Sequence, residues 1–246
     1  MILEVKELSK KYASGQMVDQ ALKQVSFSLN QGEILGIVGE SGSGKTTLLK
    51  LISGLEVPDG GEILLDGKVL SAKRTKEDYR SMQMIFQDAI ASFHPRRTIA
   101  ASIREAVCSL LGKNAEFVPK ELAGLVGLTP ELMERRPGKL SGGQCQRFAI
   151  ARAIAVHPKI LLCDEITSAL DVSTQAQIME LMTKICEDTG TAALFVSHDL
   201  AVVSNLCHRV LVMKDGVIVE EGDIRQIIRA PKEEYTKKLM ESVMEI

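Results

Sequence analysis

Hydrophobic and polar residues alternate in one part of the chain and cluster in another, and the two patterns predict two kinds of β structure. Val25, Phe27 and Leu29 alternate with polar neighbours, which is typical of a strand with one buried face. Residues 2–8 form a second, less regular strand pattern, so we predict an antiparallel β layer. Residues 34–38 form an unbroken apolar run, which predicts a strand covered on both faces.

The second half of the chain alternates helical patterns with apolar runs. From residue 141 onward, we predict a helix over 141–156, a strand over 160–163, a helix over 173–187 and a strand over 192–196. This alternation predicts a parallel sheet with crossover helices. We also expect hairpins at residues 60–67 and 210–219, a helical insertion over 99–127 and an amphipathic tail that runs to Ile246.

Length and charge limit the classes of function. The 246 residues can form one sizeable α/β domain or two small ones. The 30 Lys and Arg nearly balance the 32 Asp and Glu, so no overall basic field exists to hold nucleic acid. The longest stretch without a charged residue, 189–198, is about half the roughly 20 residues that a spanning helix needs. We predict a cytoplasmic protein with no membrane span of its own and no nucleic-acid partner.

Residues 39–46, GESGSGKT, match the phosphate-binding pattern G-x-x-x-x-G-K-[ST] between a predicted strand and a predicted helix over 46–53. Glycines let backbone N–H groups and the helix N-terminus point at a phosphate chain, and the lysine adds charge at the β and γ phosphates. The alternative, an ordinary glycine turn, is disfavoured by this context. We expect contacts with the phosphates, or with Mg²⁺ through Thr46, from Gly39, Ser41, Gly42, Gly44, Lys45, Thr46 and Thr47.

Two acidic residues follow the apolar run at 160–163. This position places the carboxylates of Asp164 and Glu165 at the carboxyl edge of the predicted sheet, where doubly wound folds bind ligands. Asp164 suits a contact with Mg²⁺, and Glu165 suits a general base that activates water. The alternative for this pair alone is a solvated strand end.

The segment 140–144, LSGGQ, stands directly before the helix predicted from residue 141. In isolation, its serine would be explained as a helix N-cap. In this chain the segment belongs to an ordered series, which is the phosphate loop, Gln87, LSGGQ, the Asp-Glu pair, SALD at 168–171, and His198.

This series resembles the nucleotide-binding subunit of ABC transporters, and the likeness extends from about residue 3 to residue 240. The resemblance implies an α/β P-loop NTPase fold, with a mixed, mainly parallel core sheet, an antiparallel β layer and a helical subdomain. It also implies a single ABC ATPase domain over residues 1–246. Within it we expect a RecA-like core and β layer at about 1–87 and 157–246, and a helical subdomain at about 88–156.

The resemblance assigns roles to residues that match the family's motifs. It implies that Tyr12 stacks on adenine, and that Gln87 reaches Mg²⁺ and the attacking water and senses the membrane partner. It implies that His198 contacts the γ-phosphate and that Asp171 links the two sites of a dimer. The signature residues, which would close over the γ-phosphate held by a second subunit, are Ser141, Gly142, Gly143 and Gln144.

The phosphate loop and the signature of one chain cannot both contact one ATP, so the resemblance implies head-to-tail pairing with a second ATPase subunit. We expect that subunit to be a different chain, with a second copy of this chain as the alternative. The expected cofactors are ATP and Mg²⁺. Closure of the pair would surround the γ-phosphate with N–H donors, and hydrolysis would remove those contacts and open the pair.

Three segments match the oligopeptide, dipeptide and nickel importer branch of the family. They are residues 88–99, 168–178 (SALDVSTQAQI) and 230–240 (APKEEYTKKLM). Within them Phe93 and His94 depart from the usual Leu and Asn, and just outside them Ile166 replaces the usual proline. A lone histidine lacks the partners of a metal site, so we do not interpret His94 as a nickel ligand.

The branch implies an ATPase that powers import of peptides, nickel or a metal chelate from the cytoplasmic face of the cell membrane. Its expected partners are transmembrane permease subunits and, indirectly, an extracellular substrate-binding protein. A soluble ABC ATPase of DNA repair is disfavoured, because only 53 residues separate Gln87 from Ser141 and leave no room for a long coiled coil. The translation type normally carries two cassettes. A protein that binds ATP without hydrolysing it is disfavoured by the presence of Glu165 and His198.

Overall fold

The structure is a computed structural model that describes residues 1–14 and 17–244. Its strands are β1 (Leu3–Ser14), β2 (Met17–Leu29), β3 (Ile34–Val38), β4 (Gly60–Leu65), β5 (Lys68–Val69), β6 (Met82–Ile85), β7 (Ile160–Asp164), β8 (Ala192–Val196), β9 (Arg209–Lys214) and β10 (Val217–Asp223). Its α-helices are α1 (Lys45–Ser53), α2 (Lys76–Ser81), α3 (Ile99–Leu111), α4 (Pro119–Leu125), α5 (Gly142–Ile154), α6 (Val172–Thr189), α7 (Leu200–Leu206), α8 (Ile224–Arg229) and α9 (Glu234–Met244). Short 3₁₀ helices span Pro130–Glu134 and Pro137–Lys139.

A six-stranded sheet in the order β10-β9-β3-β8-β7-β6 forms the centre of the fold. Its strands are parallel except β10, which pairs antiparallel with β9. Every residue of β3, β7 and β8 is buried, as their unbroken apolar runs predict. The predicted parallel sheet is confirmed, and it brings the carboxyl ends of β3, β8, β7 and β6 together at one edge.

The antiparallel β layer has the order β2-β1-β4-β5. Strands β1 and β2 are longer than predicted. Their pairing contains register shifts between Val5 and Leu8, between Leu8 and Lys10, and between Lys10 and Tyr12. Such irregularities interrupt the alternation of apolar and polar positions, so the sequence pattern covers only part of each strand.

Apolar side chains pack on both faces of the central sheet. On one face, Leu35 and Ile37 of β3 pack in a cluster with α1 and the β layer. On the other face, Val38 belongs to a cluster that includes α5, α6 and α7. The sheet is therefore a middle layer that holds α1 on one side and the later helices on the other.

Helical structure fills the chain between β6 and β7, where we predicted an insertion. The insertion contains α3 and α4, which are separated at Gly112, and the two 3₁₀ helices. Two helices were not predicted, α2 and α7, which have only 6 and 7 residues and so show no clear helical period. The predicted tail corresponds to α8 and α9, and its last two residues lie outside the described part of the chain. Within the described part, we find no helix with both the length and the apolarity to cross a bilayer.

Candidate active site

The phosphate-loop segment joins the end of β3 to the start of α1. Gly39 and Gly44 have φ angles of 152° and 102°, which side-chain-bearing residues rarely adopt. A Cβ at Gly39 would overlap the carbonyl oxygen of Met213, and one at Gly44 would lie 2.6 Å from the carbonyl oxygen of Ala21. No side chain caps α1, so its first N–H groups are left to bind an anion.

Lys45 is buried at the base of this loop, and its ammonium group is aimed back at the loop's own carbonyl groups. Its Nζ atom donates to the carbonyl oxygens of Gly39 and Glu40 at 2.7 and 2.8 Å. Burial lowers the pKa of Lys45, while the negative charges of Glu165 and Asp164 oppose that effect. These contacts fix the position of one positive charge beside the loop.

Asp164, the last residue of β7, contacts the first turn of α1. Thr46 donates its hydroxyl group to Asp164 Oδ1 at 3.1 Å. Burial raises the pKa of Asp164, although the hydrogen bond from Thr46 and the charge of Lys45 favour the carboxylate. The pair therefore presents a hydroxyl oxygen and a carboxylate oxygen side by side, which are ligand types that Mg²⁺ prefers.

The Glu165 carboxylate, which follows β7, contacts side chains that follow the two neighbouring strands, β8 and β6. Its Oε2 atom lies 3.3 Å from His198 Nδ1 and 3.4 Å from Gln87 Nε2. The backbone of Glu165 has a φ of 49° and donates its N–H to Val196 at 3.1 Å, which turns the residue away from the strand direction. The structure thus brings together three residues that the sequence analysis selected at separate positions.

Ser168 completes this arrangement, although it was not among the predicted site residues. Its hydroxyl group donates to the carbonyl oxygen of Glu165 and accepts a hydrogen bond from Gln87, both at 3.0 Å. Its position in the SALD segment, three residues after Glu165, was the available signal. The serine fixes both the glutamate backbone and the glutamine amide.

A cavity of about 530 Å³ lies over the phosphate loop. The predicted residues that line it are Tyr12, Ser41, Gly42, Gly44, Lys45, Thr46, Thr47 and Glu165, and the unpredicted ones are Asp19, Gln20, Ala21, Lys23, Asp215 and Gly216. Tyr12 is 37% exposed at the cavity, and its hydroxyl group is hydrogen-bonded to Glu56. The cavity therefore has an exposed aromatic ring, a glycine loop and a carboxylate along its wall.

The signature segment does not line this cavity. Ser141 caps α5, because its hydroxyl group accepts the N–H of Gln144 at 3.2 Å and its own N–H donates to the Gln144 side chain at 3.0 Å. Gly142 and Gly143 form the first turn of α5, and a Cβ at Gly143 would lie 2.6 Å from the Thr174 methyl group. The cap explanation is therefore correct as local structure, and the exposed helix start remains available to another molecule.

Asp171 is exposed and begins α6. Its carboxylate accepts hydrogen bonds from the N–H of Thr174 at 2.9 Å and from the hydroxyl groups of Ser173 and Thr174 at 2.6 and 2.7 Å. The hydroxyl group of Ser173 and the groups of Thr174 hold the pKa of Asp171 well below its usual range. Since Thr174 also contacts Gly143, the starts of α5 and α6 are held together.

Comparison with known proteins decides the family. The sequence model described as "ABC transporter" matches residues 22–168. The chain belongs to the ABC transporter family. It is 46% identical over 231 residues to the oligopeptide transport ATP-binding protein OppF of Haemophilus influenzae, covering 91% of this chain and 70% of that protein. It is also 46% identical over 229 residues to the glutathione import ATP-binding protein GsiA of Escherichia coli, covering 91% of this chain and 37% of that protein.

Solved ABC structures have the same fold. The ATP-binding cassette MJ0796, solved as a dimer in a post-hydrolysis state with ADP and phosphate, superposes with a TM-score of 0.80 at 31% identity, over 91% of this chain and 99% of that chain. CbiO1 from Clostridium perfringens, part of the ABC transporter complex cbiONQ, gives a TM-score of 0.80 at 26% identity, over 100% and 99%. The predictions of an α/β ABC cassette and of an importer-branch ABC ATPase are therefore confirmed, and the chain is an ATP-hydrolysing subunit coupled to transport.

The structure shows the surroundings of two residues that depart from the family pattern, Ile166 and His94. Ile166, in place of the usual proline, is 1% exposed and belongs to the hydrophobic cluster that includes α5, α6 and α7. His94 accepts the backbone N–H of Arg96 at 3.2 Å, so the structure shows a loop contact for this side chain.

Proposed function

We propose that this chain powers a peptide importer by binding Mg·ATP at the phosphate-loop cavity and hydrolysing it in a head-to-tail pair of ATPase subunits. The observation that carries this proposal is the separation of two half-sites. Lys45, Asp164 and Glu165 meet at one sheet edge, whereas the signature at the start of α5 lies outside that cavity. A signature supplied by a second subunit would complete the site.

The phosphate loop, Tyr12 and the residues at the sheet edge make different contacts in this proposal. The loop N–H groups and Lys45 bind the phosphates, and Tyr12 presents its ring to the adenine base. Thr46, Asp164 and Gln87 would hold Mg²⁺, since all three offer oxygen atoms. Bound Mg²⁺ would neutralise charge on the phosphate oxygens.

The hydrolytic step requires a base that faces the attacking water. Glu165 accepts the proton of that water, while His198 and Gln87 hold the carboxylate and orient the γ-phosphate and the water. The second subunit's signature would add N–H donors on the far side of the γ-phosphate, where negative charge develops. Loss of the γ-phosphate removes those contacts, so the pair opens.

The same geometry supports coupling to a permease. Gln87 contacts Glu165, and two apolar residues close to it in the sequence, Phe86 and Ile90, are 36% and 45% exposed. We infer that a transmembrane permease subunit contacts Phe86 and Ile90, on the cytoplasmic side of the membrane. The helical subdomain at about 88–156 and the remainder of the single domain would then move relative to each other as the pair closes.

The relatives favour peptides as cargo. OppF is named for oligopeptides and GsiA for glutathione, which is itself a short peptide. Nickel and metal chelates remain the competing cargo. We expect the cargo to be recognised by an extracellular binding protein and by the permease, because we assign the phosphate-loop cavity of this chain to the nucleotide.

The test is to purify the chain with its permease subunits in membranes and to add binding proteins loaded with peptide, nickel or a metal chelate. We expect the peptide-loaded protein to stimulate ATP hydrolysis. Stimulation by nickel or a chelate alone would overturn the peptide assignment. Hydrolysis that responds to none of the three would contradict the importer function for this chain, in favour of a soluble ABC ATPase.

The proposed Mg²⁺ site makes a separate prediction. Asp164→Asn should raise the Mg²⁺ concentration needed for half-maximal hydrolysis by about tenfold or more, because a neutral oxygen replaces a charged one. Binding of metal-free ATP should be unchanged. Asp188→Asn, at an exposed position near the end of α6, is the matched control. An unchanged Mg²⁺ requirement in the Asp164 variant would remove this residue from the metal site.

A further inference from the structure

The C-terminal helix reaches the phosphate loop. The N–H of Glu40, the second residue of the loop, donates to the hydroxyl oxygen of Tyr235 at 3.1 Å, across 195 residues of sequence. Tyr235 lies in the segment 230–240 that marks the importer branch, and it is outside the residues 22–168 that the family's sequence model matches. The proposed function gives this tyrosine no task.

The start of α9 is anchored, so the position of Tyr235 is well defined. The carboxylate of Glu220, on β10, accepts the backbone N–H groups of Lys232 and Glu233 at 2.9 and 3.1 Å. Glu220 is only 8% exposed, and Met240 on the same helix is 5% exposed in the core. A buried carboxylate with two backbone donors holds the beginning of α9 on the central sheet.

The phenol ring of Tyr235 is held beside the turn between β9 and β10. Lys214 Nζ lies 4.9 Å from the ring centroid, which is within the range of a cation–π contact. In the same turn, Gly216 donates its N–H to the carbonyl oxygen of Ser43 at 3.2 Å. The C-terminal part of the chain therefore contacts the phosphate loop at two points, Glu40 and Ser43.

The contact of Tyr235 with Glu40 affects the position of Lys45. The N–H of Glu40 and the carbonyl group of Gly39 belong to one planar peptide unit and point in opposite directions. Tyr235 holds the N–H side, and Lys45 Nζ is bound to the carbonyl side at 2.7 Å. Any rotation of this peptide moves the carbonyl oxygen that positions the ammonium group. Fixing the N–H side therefore fixes the lysine.

We propose that Tyr235 is a positioning residue of the nucleotide site: its hydroxyl group sets the Gly39–Glu40 peptide, and through it the place of the Lys45 ammonium group at the phosphates. The role rests on the proposed function of the phosphate loop. Tyr235 touches neither nucleotide nor water in this scheme. Its hydrogen bond restricts the conformations of the nucleotide-free loop, so less conformational entropy is lost when the phosphates bind.

The test compares Tyr235→Phe, which removes only the hydroxyl group, with Tyr79→Phe, which removes a hydroxyl group from an exposed tyrosine on α2. The probe is MgADP, which occupies the phosphate loop without being hydrolysed. We expect Tyr235→Phe to weaken MgADP binding by about threefold to tenfold, as expected for one lost hydrogen bond. The control should bind as the wild type does.

Two further measurements separate positioning from a general structural effect. In steady-state ATP hydrolysis, Tyr235→Phe should raise KM and leave kcat within about twofold. Its unfolding temperature should match that of Tyr79→Phe. In a Lys45→Met background, Tyr235→Phe should cause no further loss of MgADP affinity, because the group through which it acts is absent.

Each outcome decides one proposal. Wild-type affinity in Tyr235→Phe, or an equal loss with and without Lys45, would overturn the positioning role. A fall in kcat without a rise in KM would also overturn it. If Lys45→Met itself bound MgADP normally, the proposed nucleotide site would fail, and the tyrosine role with it.

Discussion

Replacing Glu165 by glutamine is expected to lower steady-state ATP hydrolysis by about 10²- to 10⁴-fold, the usual contribution of a positioned general base. Glutamine keeps the size and shape of the side chain but cannot accept a proton from water. The structure supports this expectation because the carboxylate lies at the cavity beside Lys45, within 3.4 Å of both His198 and Gln87. Release of inorganic phosphate is the measurement.

ATP binding should survive the same substitution. The amide of Glu165→Gln can still contact His198 and Gln87, and the contacts of Lys45 with the loop do not involve this side chain. The variant should therefore bind ATP with wild-type or tighter affinity and hold it without turnover. Equilibrium binding of ATP tests this half of the prediction.

Glu187→Gln is the matched control, since Glu187 is an exposed glutamate on α6. It should hydrolyse ATP at the wild-type rate. Unchanged hydrolysis in Glu165→Gln would rule out the glutamate as the base. A loss of binding as large as the loss of rate would show that the side chain holds the nucleotide instead of activating water.

The placement of the candidate residues at the sheet edge was predictable because it follows from local patterns. Unbroken apolar runs predicted β3, β7 and β8, and parallel strands place their carboxyl ends together. Strand order alone therefore explains why Asp164 and Glu165 lie beside Lys45. The resemblance to the ABC family added His198 and Gln87, which residue type alone would not have selected.

The contacts between side chains were not predictable in the same way. Ser168 was missed, although it lies in the SALD segment, because its role depends on a contact with Gln87 that the sequence pattern does not show. Tyr235 was assigned to a branch-specific segment, but its contact with Glu40 depends on how α9 packs against β10. Long-range packing of this kind leaves no periodic signal in the sequence.

Two inactive variants of this chain should restore each other's ATP hydrolysis when they are mixed. Lys45→Met removes the buried ammonium group that we propose binds the phosphates. Ser141→Arg removes the cap of α5 and places a long cation at the exposed start of that helix. Each variant alone should lose about 10²-fold or more of its activity, because each alters a group that we propose stabilises the γ-phosphate in the transition state.

Restoration follows from the proposed head-to-tail arrangement. A mixed pair contains one site with the intact loop of the Ser141 variant and the intact signature of the Lys45 variant, while its other site carries both defects. Random pairing makes half of the pairs mixed, so an equal mixture should reach about a quarter of the wild-type rate. The test addresses the alternative pair, which is formed by two copies of this chain, and each copy supplies both half-sites.

The control is a chain that carries both substitutions, mixed with the Lys45→Met variant. Neither site of that pair has an intact phosphate loop, so no activity should return. If the first mixture also stayed inactive although the wild-type chain hydrolyses ATP, each chain would use its own loop and signature. That result would contradict the proposal that two subunits pair because the signature of each chain lies outside its own cavity. One chain would then have to close its own signature over its own nucleotide.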